Sequence, residues 1–254
     1  MRTFAPRDRL DGRTAVITGG TGAIGAATAQ RLAALGARIV LLHRGADADA
    51  QPLLAELPGH GHFAVTASVT DSASLGAAAQ TVRERAGGAS MLINCAGFTK
   101  PVPAADLDAL DDALIDEIFA VNWRGLFAGI RAFAPLLREG EESVIVNVSS
   151  IAGLSGQGSN LAYAAAKAGT DALTKSLAKA LAPRIRVLAV SPGVVDTPFV
   201  PGRDAGFNDK VGASIPLKRV GVADDVAAAI TACCTSFVYA TGSIFIADGG
   251  RHLG

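Results

Sequence analysis

Short apolar segments rich in β-branched residues alternate with longer segments of helical composition along the whole chain. The strand-type segments are residues 14–18, 38–42, 62–66, 91–94, 143–148, 185–190 and 243–246. The helical segments are residues 23–35, 49–57, 71–86, 107–137, 160–181 and 224–237, whereas residues 197–216 have the Pro and Gly content of a loop. This alternation predicts a parallel sheet, because parallel strands need a crossover connection and helices supply it.

The length of 254 residues suits one large α/β domain or two small ones. No linker, internal repeat or low-complexity segment divides the chain, so we predict a single domain over residues 1–254. Half of the residues are hydrophobic but only 5% are aromatic, which favours small aliphatic side chains packed closely against a buried sheet. The predicted fold is a doubly wound α/β domain with about seven parallel strands and helices on both faces.

Charge balance and cysteine content restrict the function classes. The 23 basic and 23 acidic residues give a net charge of zero, whereas a nucleic-acid partner needs an excess of positive charge. Cys95, Cys233 and Cys234 are an odd number with an adjacent pair, which predicts buried free thiols in a reducing compartment. His60 and His62 lack companion ligands at metal-site spacing, so no metal is expected.

The N-terminal segment MRTFAPRDRLDGR is charged and has no apolar core of the kind found in a signal peptide. No apolar run reaches membrane-spanning length without interruption by charge or Gly. We therefore expect a soluble cytoplasmic protein with a small-molecule partner and neither a nucleic acid nor a membrane partner.

A glycine-rich segment, TGGTGAIG at residues 18–25, joins the first strand to the first helix. Glycines permit a tight turn and a close approach to a pyrophosphate, and a helix N-terminus offers free N–H groups with partial positive charge. In this strand–turn–helix context the motif predicts a Rossmann-type dinucleotide site, with a simple tight connection as the alternative. The residues expected to contact the cofactor here are Gly19, Thr21, Gly22, Ile24 and Gly25.

Arg44 follows the second strand, at the position where an acidic residue would bind the adenosine ribose of NAD. The chain has no acidic residue there before Asp47. Because a guanidinium matches phosphate geometry, Arg44 favours the 2′-phosphate of NADP(H) as the cofactor, with NAD(H) still possible. A solvated surface arginine is the alternative.

Tyr163 and Lys167 lie four positions apart at the start of the Ala-rich helical segment. Such positions share one face of a helix, so that the phenol and the ammonium group can meet. A nearby cation lowers the pKa of a phenol and makes it a usable acid or base near neutral pH. Ser150 follows the fifth strand, where its hydroxyl would hydrogen-bond a substrate oxygen; Ser149 is its competitor, and an ordinary turn or cap role is the alternative for both.

With these motifs taken together, the chain resembles the short-chain dehydrogenase/reductases over nearly its whole length, and in particular their shorter, 3-oxoacyl-reductase-like branch. The matching segments are residues 18–25, 94–97, 121–122, Ser150, 163–167, 191–197, 216–221 and 248–250. Three sites depart from the pattern. Cys95 replaces the usual second Asn of the turn at residues 94–97. Ala23 occupies the middle glycine position of the shorter branch, and Ser68-Val69 stands where an Asp commonly contacts adenine.

The resemblance implies a role for each matching residue. Tyr163 would be the general acid/base, Lys167 would lower its pKa and hold the nicotinamide ribose, and Ser150 would polarise the carbonyl. Asn122 would hold a water that links Lys167 to solvent. The other residues implied to flank the cofactor are Ser68, Val69, Asn94, Ala96, Gly97, Pro192, Gly193, Val195 and Thr197. Residues 198–215 would form a substrate lid, and residues 246–254 would contribute to a homotetramer or a dimer.

The predicted activity is NADP(H)-dependent reduction of a ketone or 3-oxo group to a secondary alcohol, or the reverse reaction. Of Phe98, Leu154, Phe199 and Phe207 near the expected mouth, we expect two to line an apolar pocket. Two other functions stay open: an NAD-dependent alcohol or hydroxysteroid-type dehydrogenase that works oxidatively, and a non-catalytic dinucleotide sensor.

Overall fold

The strands of the protein form one parallel sheet. The structure, a computed structural model, describes residues 9–140, 142–203 and 206–253. Its strands are β1 (Thr14–Thr18), β2 (Arg38–His43), β3 (Phe63–Thr66), β4 (Met91–Asn94), β5 (Ser143–Val148), β6 (Ile185–Pro192) and β7 (Ile244–Ala247). All neighbours pair in parallel, in the order β3-β2-β1-β4-β5-β6-β7. The predicted single-domain, Rossmann-type sheet of seven strands is confirmed.

Helices follow the strands as the alternation predicts. They are α1 (Ala23–Ala34), α2 (Asp47–Glu56), α3 (Ser72–Ala86), α4 (Asp112–Phe119), α5 (Leu126–Glu139), α6 (Ile151–Ser155), α7 (Leu161–Leu181), α8 (Phe207–Ser214) and α9 (Ala223–Thr235). A π-helical turn, Ala120–Gly125, joins α4 to α5, and a 3₁₀ turn spans Arg251–Leu253. No helix in the described ranges is long and apolar enough to cross a membrane.

The sequence-based prediction misplaces the start of one helix and misses two short helices. The helical segment predicted from residue 107 begins only at Asp112, because Asp111 caps the first turn by accepting a hydrogen bond from the Leu114 N–H. Residues 197–216 were predicted as a loop but contain α8, in which Gly212 is the one buried residue, so that no apolar periodicity marks the helix. The five-residue helix α6 is too short to produce a periodic pattern.

Two apolar layers cover the sheet, one on each face. Alternate strand residues point to opposite layers, as in β1, where Ala15 and Ile17 pack with α1, α2 and α9, and Val16 packs with α3, α5 and α7. Both layers are rich in Ala, Val, Leu and Ile, in agreement with the low aromatic content. Cys233 and Cys234 are buried in the first layer, and all three cysteines are free thiols.

The strand order reverses between β1 and β4. Connections from β1 run toward β3, and those from β4 run toward β7. Their crossovers therefore leave the sheet in opposite directions, which opens a crevice at the carboxyl ends of β1 and β4. Thr18 pairs with Asn94, and Asn94 pairs with Asn147, so the last residues of these strands meet at that crevice.

Candidate active site

A cleft of about 1110 Å³ lies at the carboxyl edge of the sheet, over the crevice between β1 and β4. Pockets for small molecules usually measure about 300–1,000 Å³, so the cleft has room for a dinucleotide together with a small substrate. Its wall runs from Arg44, Ser68 and Val69, here called the Arg44 end, to Ser150, Tyr163 and Lys167, here called the Tyr163 end.

The glycine-rich turn lines the floor between the two ends. Gly19 has a φ of +64°, and a Cβ added there would lie 2.9 Å from the backbone of Ala96. A Cβ on Gly25 would overlap the carbonyl oxygen of Gly19. Gly22 precedes the first residue of α1 and offers no side chain as a cap, so the first N–H groups of α1 keep no side-chain partner there. This open, electropositive cradle fits a pyrophosphate.

Most of the predicted cofactor contacts line this cleft. The residues that do so are Gly19, Thr21, Gly22, Ile24, Gly25, Arg44, Ser68, Val69, Ala96, Gly97, Tyr163, Lys167, Pro192, Gly193, Val195 and Thr197. Arg44 is exposed at the end of β2, while Val69 is buried against the π-helical turn. At Ser68 the hydroxyl hydrogen-bonds the Thr70 hydroxyl at 2.8 Å.

Asn94 and Asn122 lie behind the wall of the cleft instead of on it. Asn94 donates to the Asn147 side chain at 2.9 Å, and Asn147 donates to Thr174 at the same distance, which ties β4, β5 and α7 together. Asn122 donates to the carbonyls of Phe98 and Ile118 at 2.7 and 2.9 Å and accepts from the Phe98 N–H. Asn122 thus braces the loop after β4, whereas Asn94 joins β4 to β5 beneath the cleft.

Helix α7 presents Tyr163 and Lys167 to the cleft. Asn160 caps the helix by accepting a hydrogen bond from the Tyr163 N–H at 2.7 Å, and its amide donates to the Lys100 carbonyl at 2.8 Å. The start of α7 is therefore tied to the loop after β4. Four positions along the helix from Tyr163, the Lys167 ammonium lies 5.6 Å from the centre of the phenol ring, so the predicted pairing on one face is present.

Lys167 is a buried cation, with 3% of its surface exposed. Its Nζ donates a hydrogen bond to the Val148 carbonyl at 2.8 Å, at the end of β5. Burial lowers the pKa of Lys167 to about 8, and the nearby Cys95 and Asp171 act in the opposite direction. The group thus changes its charge close to physiological pH.

The pKa of Tyr163 departs from the sequence-based expectation. Burial raises it to about 12, while hydrogen bonding with Ser150 and the positive charge of Arg203 act to lower it. Desolvation therefore outweighs the neighbouring charges, and the phenol keeps its proton at neutral pH. In that form it is a proton donor.

Ser149 and Ser150 differ in their hydrogen-bond partners. Ser149 is buried and donates to the Lys167 carbonyl at 3.3 Å. Ser150 is half-buried beside Tyr163 and caps α6 by accepting from the Ala152 N–H at 3.1 Å. Accepting at the cap leaves the hydroxyl hydrogen of Ser150 available to the cleft, so Ser150 is the serine able to polarise a bound oxygen.

The mouth of the cleft is lined by the two phenylalanines of the segment after β6. Phe199 and Phe207 line it, and the Phe199 ring lies 6.0 Å from that of Tyr163, whereas Phe98 packs into a small cluster beside α4 and Leu154 is largely exposed. Two of the four predicted residues thus line the mouth. Arg203 and Arg251 also line the cleft; neither was predicted, because no motif or periodicity marks them.

Comparison with known proteins links this geometry to one large group of enzymes. A family model described as enoyl-(acyl carrier protein) reductase matches residues 20–252. A protein of the granaticin polyketide synthase of Streptomyces violaceoruber, named as ketoacyl reductase 2, is 36% identical over 255 residues, with all of both chains covered. The cis-4-hydroxycyclohexanecarboxylate dehydrogenase of Sinomonas cyclohexanicum is 37% identical, covering 94% of this chain and 96% of that one.

A solved structure extends the similarity to three dimensions. A protein of Burkholderia xenovorans, named as a short-chain dehydrogenase/reductase, superposes with a TM-score of 0.87 at 36% identity. The match covers 95% of this chain and 98% of the other. Fold and sequence therefore agree over nearly the whole described chain.

Proposed function

The chain belongs to the short-chain dehydrogenase/reductase family, and we propose that it reduces a ketone or 3-oxo group to a secondary alcohol with NADP(H), or runs the reverse reaction. Membership makes it an oxidoreductase of keto and CH–OH groups that uses a nicotinamide dinucleotide. The observation that carries the proposal is the meeting of Ser150, Tyr163 and Lys167 on one wall of the cleft that also contains the glycine-rich turn.

In the proposed mechanism each residue acts at a stated atom. A nicotinamide held in the cleft would supply the hydride that a carbonyl carbon needs. Ser150 donates a hydrogen bond to the carbonyl oxygen, and Tyr163 gives its phenolic proton to that oxygen as negative charge develops. The buried Lys167 ammonium stabilises the phenolate that remains, because a charge is felt strongly in a site shielded from water. Asn122 holds the loop after β4 in place. We also propose that Asn122 binds a water molecule that links Lys167 to solvent, so that a proton can return to the site.

The residues that would hold the cofactor lie along the whole cleft, from the Arg44 end over the glycine-rich turn to the Tyr163 end. The N–H groups at the start of α1 and the bare backbone of Gly19 suit the pyrophosphate. Arg44 lines the cleft at the end of β2, where its guanidinium suits a 2′-phosphate. Ser68 and Val69 would flank the adenine, and the residues from Pro192 to Thr197 would flank the nicotinamide. This arrangement supports NADP(H) over NAD(H).

We further propose that residues 198–215 act as the substrate lid and that the protein assembles as a homo-oligomer. Residues 204 and 205 of that lid lie outside the described residues, as do the N-terminal residues 1–8 and Gly254. Apolar side chains near the C-terminus support association: Tyr239 is fully exposed, and Phe237, Val238, Ile246 and Leu253 are at least one-third exposed.

One experiment separates the proposed activity from its alternatives. NADPH and NADH are titrated into the protein, and oxidation of the preferred cofactor is followed with a panel of ketones and 3-oxoacyl thioesters. Tighter binding of NADPH and turnover of a ketone are expected. Preference for NAD with oxidation of secondary alcohols would favour the oxidative reaction suggested by the Sinomonas relative's name. Tight cofactor binding without turnover would indicate a sensor.

A further inference from the structure

The charged residues of the cleft are all of one sign. Arg44, Lys167, Arg203 and Arg251 line it, and none of the described lining residues is Asp or Glu. Because the whole chain carries a net charge of zero, this excess of positive charge is local. Arg44 and Lys167 have tasks in the proposed mechanism, whereas Arg203 and Arg251 have none.

Arg203 is held at the mouth of the cleft by two contacts. Its Nη1 donates a hydrogen bond to the Val195 carbonyl at 3.1 Å. The guanidinium carbon lies 4.7 Å from the centre of the Phe207 ring, which places the cation over an aromatic face. These contacts come from the segment after β6 and from α8, so the guanidinium is positioned before any ligand binds.

The donor capacity of Arg203 is only partly used. Its Nε is shielded from solvent and has no hydrogen-bond partner. No carboxylate of the described residues forms an ion pair with it, and Asp196 acts on its charge only at longer range. A shielded donor without an acceptor is unfavourable, and a half-buried cation without a counter-ion loses part of its hydration without compensation. An anion with two oxygens in one plane would accept from the guanidinium N–H groups that no described residue uses, because a guanidinium binds carboxylates through two parallel hydrogen bonds.

The location of Arg203 limits where that anion lies on the substrate. Arg203 and Tyr163 line the same cleft, and the positive charge of Arg203 acts to lower the pKa of Tyr163. Phe199, in the same segment as Arg203, has its ring 6.0 Å from the Tyr163 ring. A small ketone bound at Tyr163 therefore shares the cleft with Arg203, and an anionic substituent near its carbonyl can face that guanidinium. The phosphate of a carrier-bound acyl thioester lies many bonds from its 3-oxo group and does not meet this condition.

We infer that Arg203 binds a carboxylate of the substrate, so that the preferred substrate is a compact oxo acid whose carboxylate lies a few bonds from the ketone. The inference rests on the proposed function, which puts the reacting carbonyl at Tyr163. Arg203 then sets specificity, since the carboxylate accepts hydrogen bonds from the unused guanidinium N–H groups and orients the ketone toward Tyr163 and Ser150.

The test compares each oxo acid with its own methyl ester. Reduction of 4-oxopentanoate and of methyl 4-oxopentanoate is measured at saturating NADPH, in the wild type and in Arg203→Gln. In the wild type we expect kcat/KM for the acid to exceed that for the ester by about tenfold or more, the size of one charge-assisted contact. Arg203→Gln should remove this preference through loss with the acid alone, and Arg203→Lys should retain part of it.

Two further variants assign the effect to its residue. Arg251→Gln removes the other unassigned cation of the cleft, and Arg184→Gln removes an exposed arginine next to the first residue of β6, at the opposite edge of the sheet. Neither should change the ratio of acid to ester. If the loss with the acid followed Arg251→Gln and not Arg203→Gln, the assignment to Arg203 would be wrong.

Other outcomes would also overturn the inference. Equal loss with acid and ester would show that Arg203 only supports the lid. A weaker Kd for NADPH in Arg203→Gln, without a change in the ratio, would assign Arg203 to a cofactor phosphate. Absence of turnover with every ketone would contradict the proposed function instead. In that case calorimetric titration of 4-oxopentanoate into the protein–NADPH complex decides: binding lost in Arg203→Gln supports the carboxylate site, and no binding by the wild type overturns it.

Discussion

The Tyr163 end and the Arg44 end of the cleft differ in how far their ionisable groups are exposed to solvent. At the Tyr163 end, the phenol and the ammonium of Lys167 are buried, come from one helix, and have pKa values shifted by burial. At the Arg44 end, the guanidinium is exposed on the turn that follows β2. Proton transfer gains from the exclusion of water, because charges then act strongly on each other. Recognition of a phosphate needs only a well-placed donor and positive charge.

The largest effect should follow from removing the phenol oxygen of Tyr163. Tyr163→Phe deletes the proton donor but keeps the ring that packs against Phe199. We expect kcat for ketone reduction to fall about 10²- to 10⁴-fold, the usual contribution of a positioned general acid. The Kd for NADPH, measured by fluorescence titration, should stay within about threefold, since the phosphate contacts lie elsewhere.

A matched control uses the other tyrosine of the chain. Tyr239 is fully exposed, so Tyr239→Phe removes the same atom from a site without chemistry and should leave kcat unchanged. A Tyr163→Phe enzyme with near-normal kcat would show that the proton comes from another group, and the contrast between the two ends would lose its basis.

The fold was predictable because each strand is short, apolar and buried on both faces. All seven strand segments were found, and the loop motifs between them located the cleft. The missed elements are α6 and α8, whose sequences carry no period. The turn around Asn122 lies within the helical stretch predicted over residues 107–137, but its π-helical form was not predicted. Such elements depend on contacts with distant segments, as Gly125 does on Val69.

The role of a site residue was predictable where a sequence motif determines the backbone conformation. It was not predictable where tertiary contacts set the orientation of the side chain. The glycine-rich turn is an example of the first kind, because only glycine fits beside Ala96 at Gly19. Arg203 is an example of the second, since the Val195 carbonyl and the Phe207 ring that orient it are tertiary contacts. The raised pKa of Tyr163 belongs here too, because burial by surrounding elements outweighs the spacing to Lys167.

At the Arg44 end we expect a smaller effect, which changes the preference for NADPH over NADH. Arg44→Asp replaces the proposed 2′-phosphate contact with a repelling charge. The ratio of kcat/KM for NADPH to that for NADH should fall about 10- to 100-fold, the range for a charge-assisted hydrogen bond to phosphate. Because the site is exposed, raising the salt concentration should reduce the wild-type preference as well. An unchanged ratio would mean that Arg44 is a surface residue without contact to the cofactor.

The titration of Lys167 at the Tyr163 end should make kcat depend on pH. Burial lowers its pKa to about 8, so the ammonium is charged below that pH and loses its charge above it. Cys95, which faces it, has a pKa raised to about 12 by burial and stays neutral throughout. Reduction needs the positive charge to stabilise the Tyr163 phenolate, so kcat should fall by up to about tenfold per pH unit above pH 8.

Lys167→Arg separates this cause from a general effect of alkaline pH. The guanidinium stays charged, so the fall near pH 8 should disappear even though the maximal kcat is lower. If the variant kept the same decline, another group would control the profile. Kd values for NADPH across the same pH range report on the Arg44 end, where no comparable step is expected.

The smallest predicted effect compares two helix caps, one at each end of the cleft. Asn160 caps α7 at the Tyr163 end, and Asp71 caps α3 by accepting from the N–H groups of Ala73 and Ser74, just after Ser68 and Val69. Replacing either by Ala should cost about 1 kcal/mol of unfolding free energy, measured by urea denaturation. Only Asn160→Ala should also lower kcat severalfold, because its oxygen holds the N–H of Tyr163 and its amide joins α7 to Lys100. Equal losses of kcat in both variants would mean that cap removal acts through overall stability, and that α7 does not position Tyr163 through Asn160.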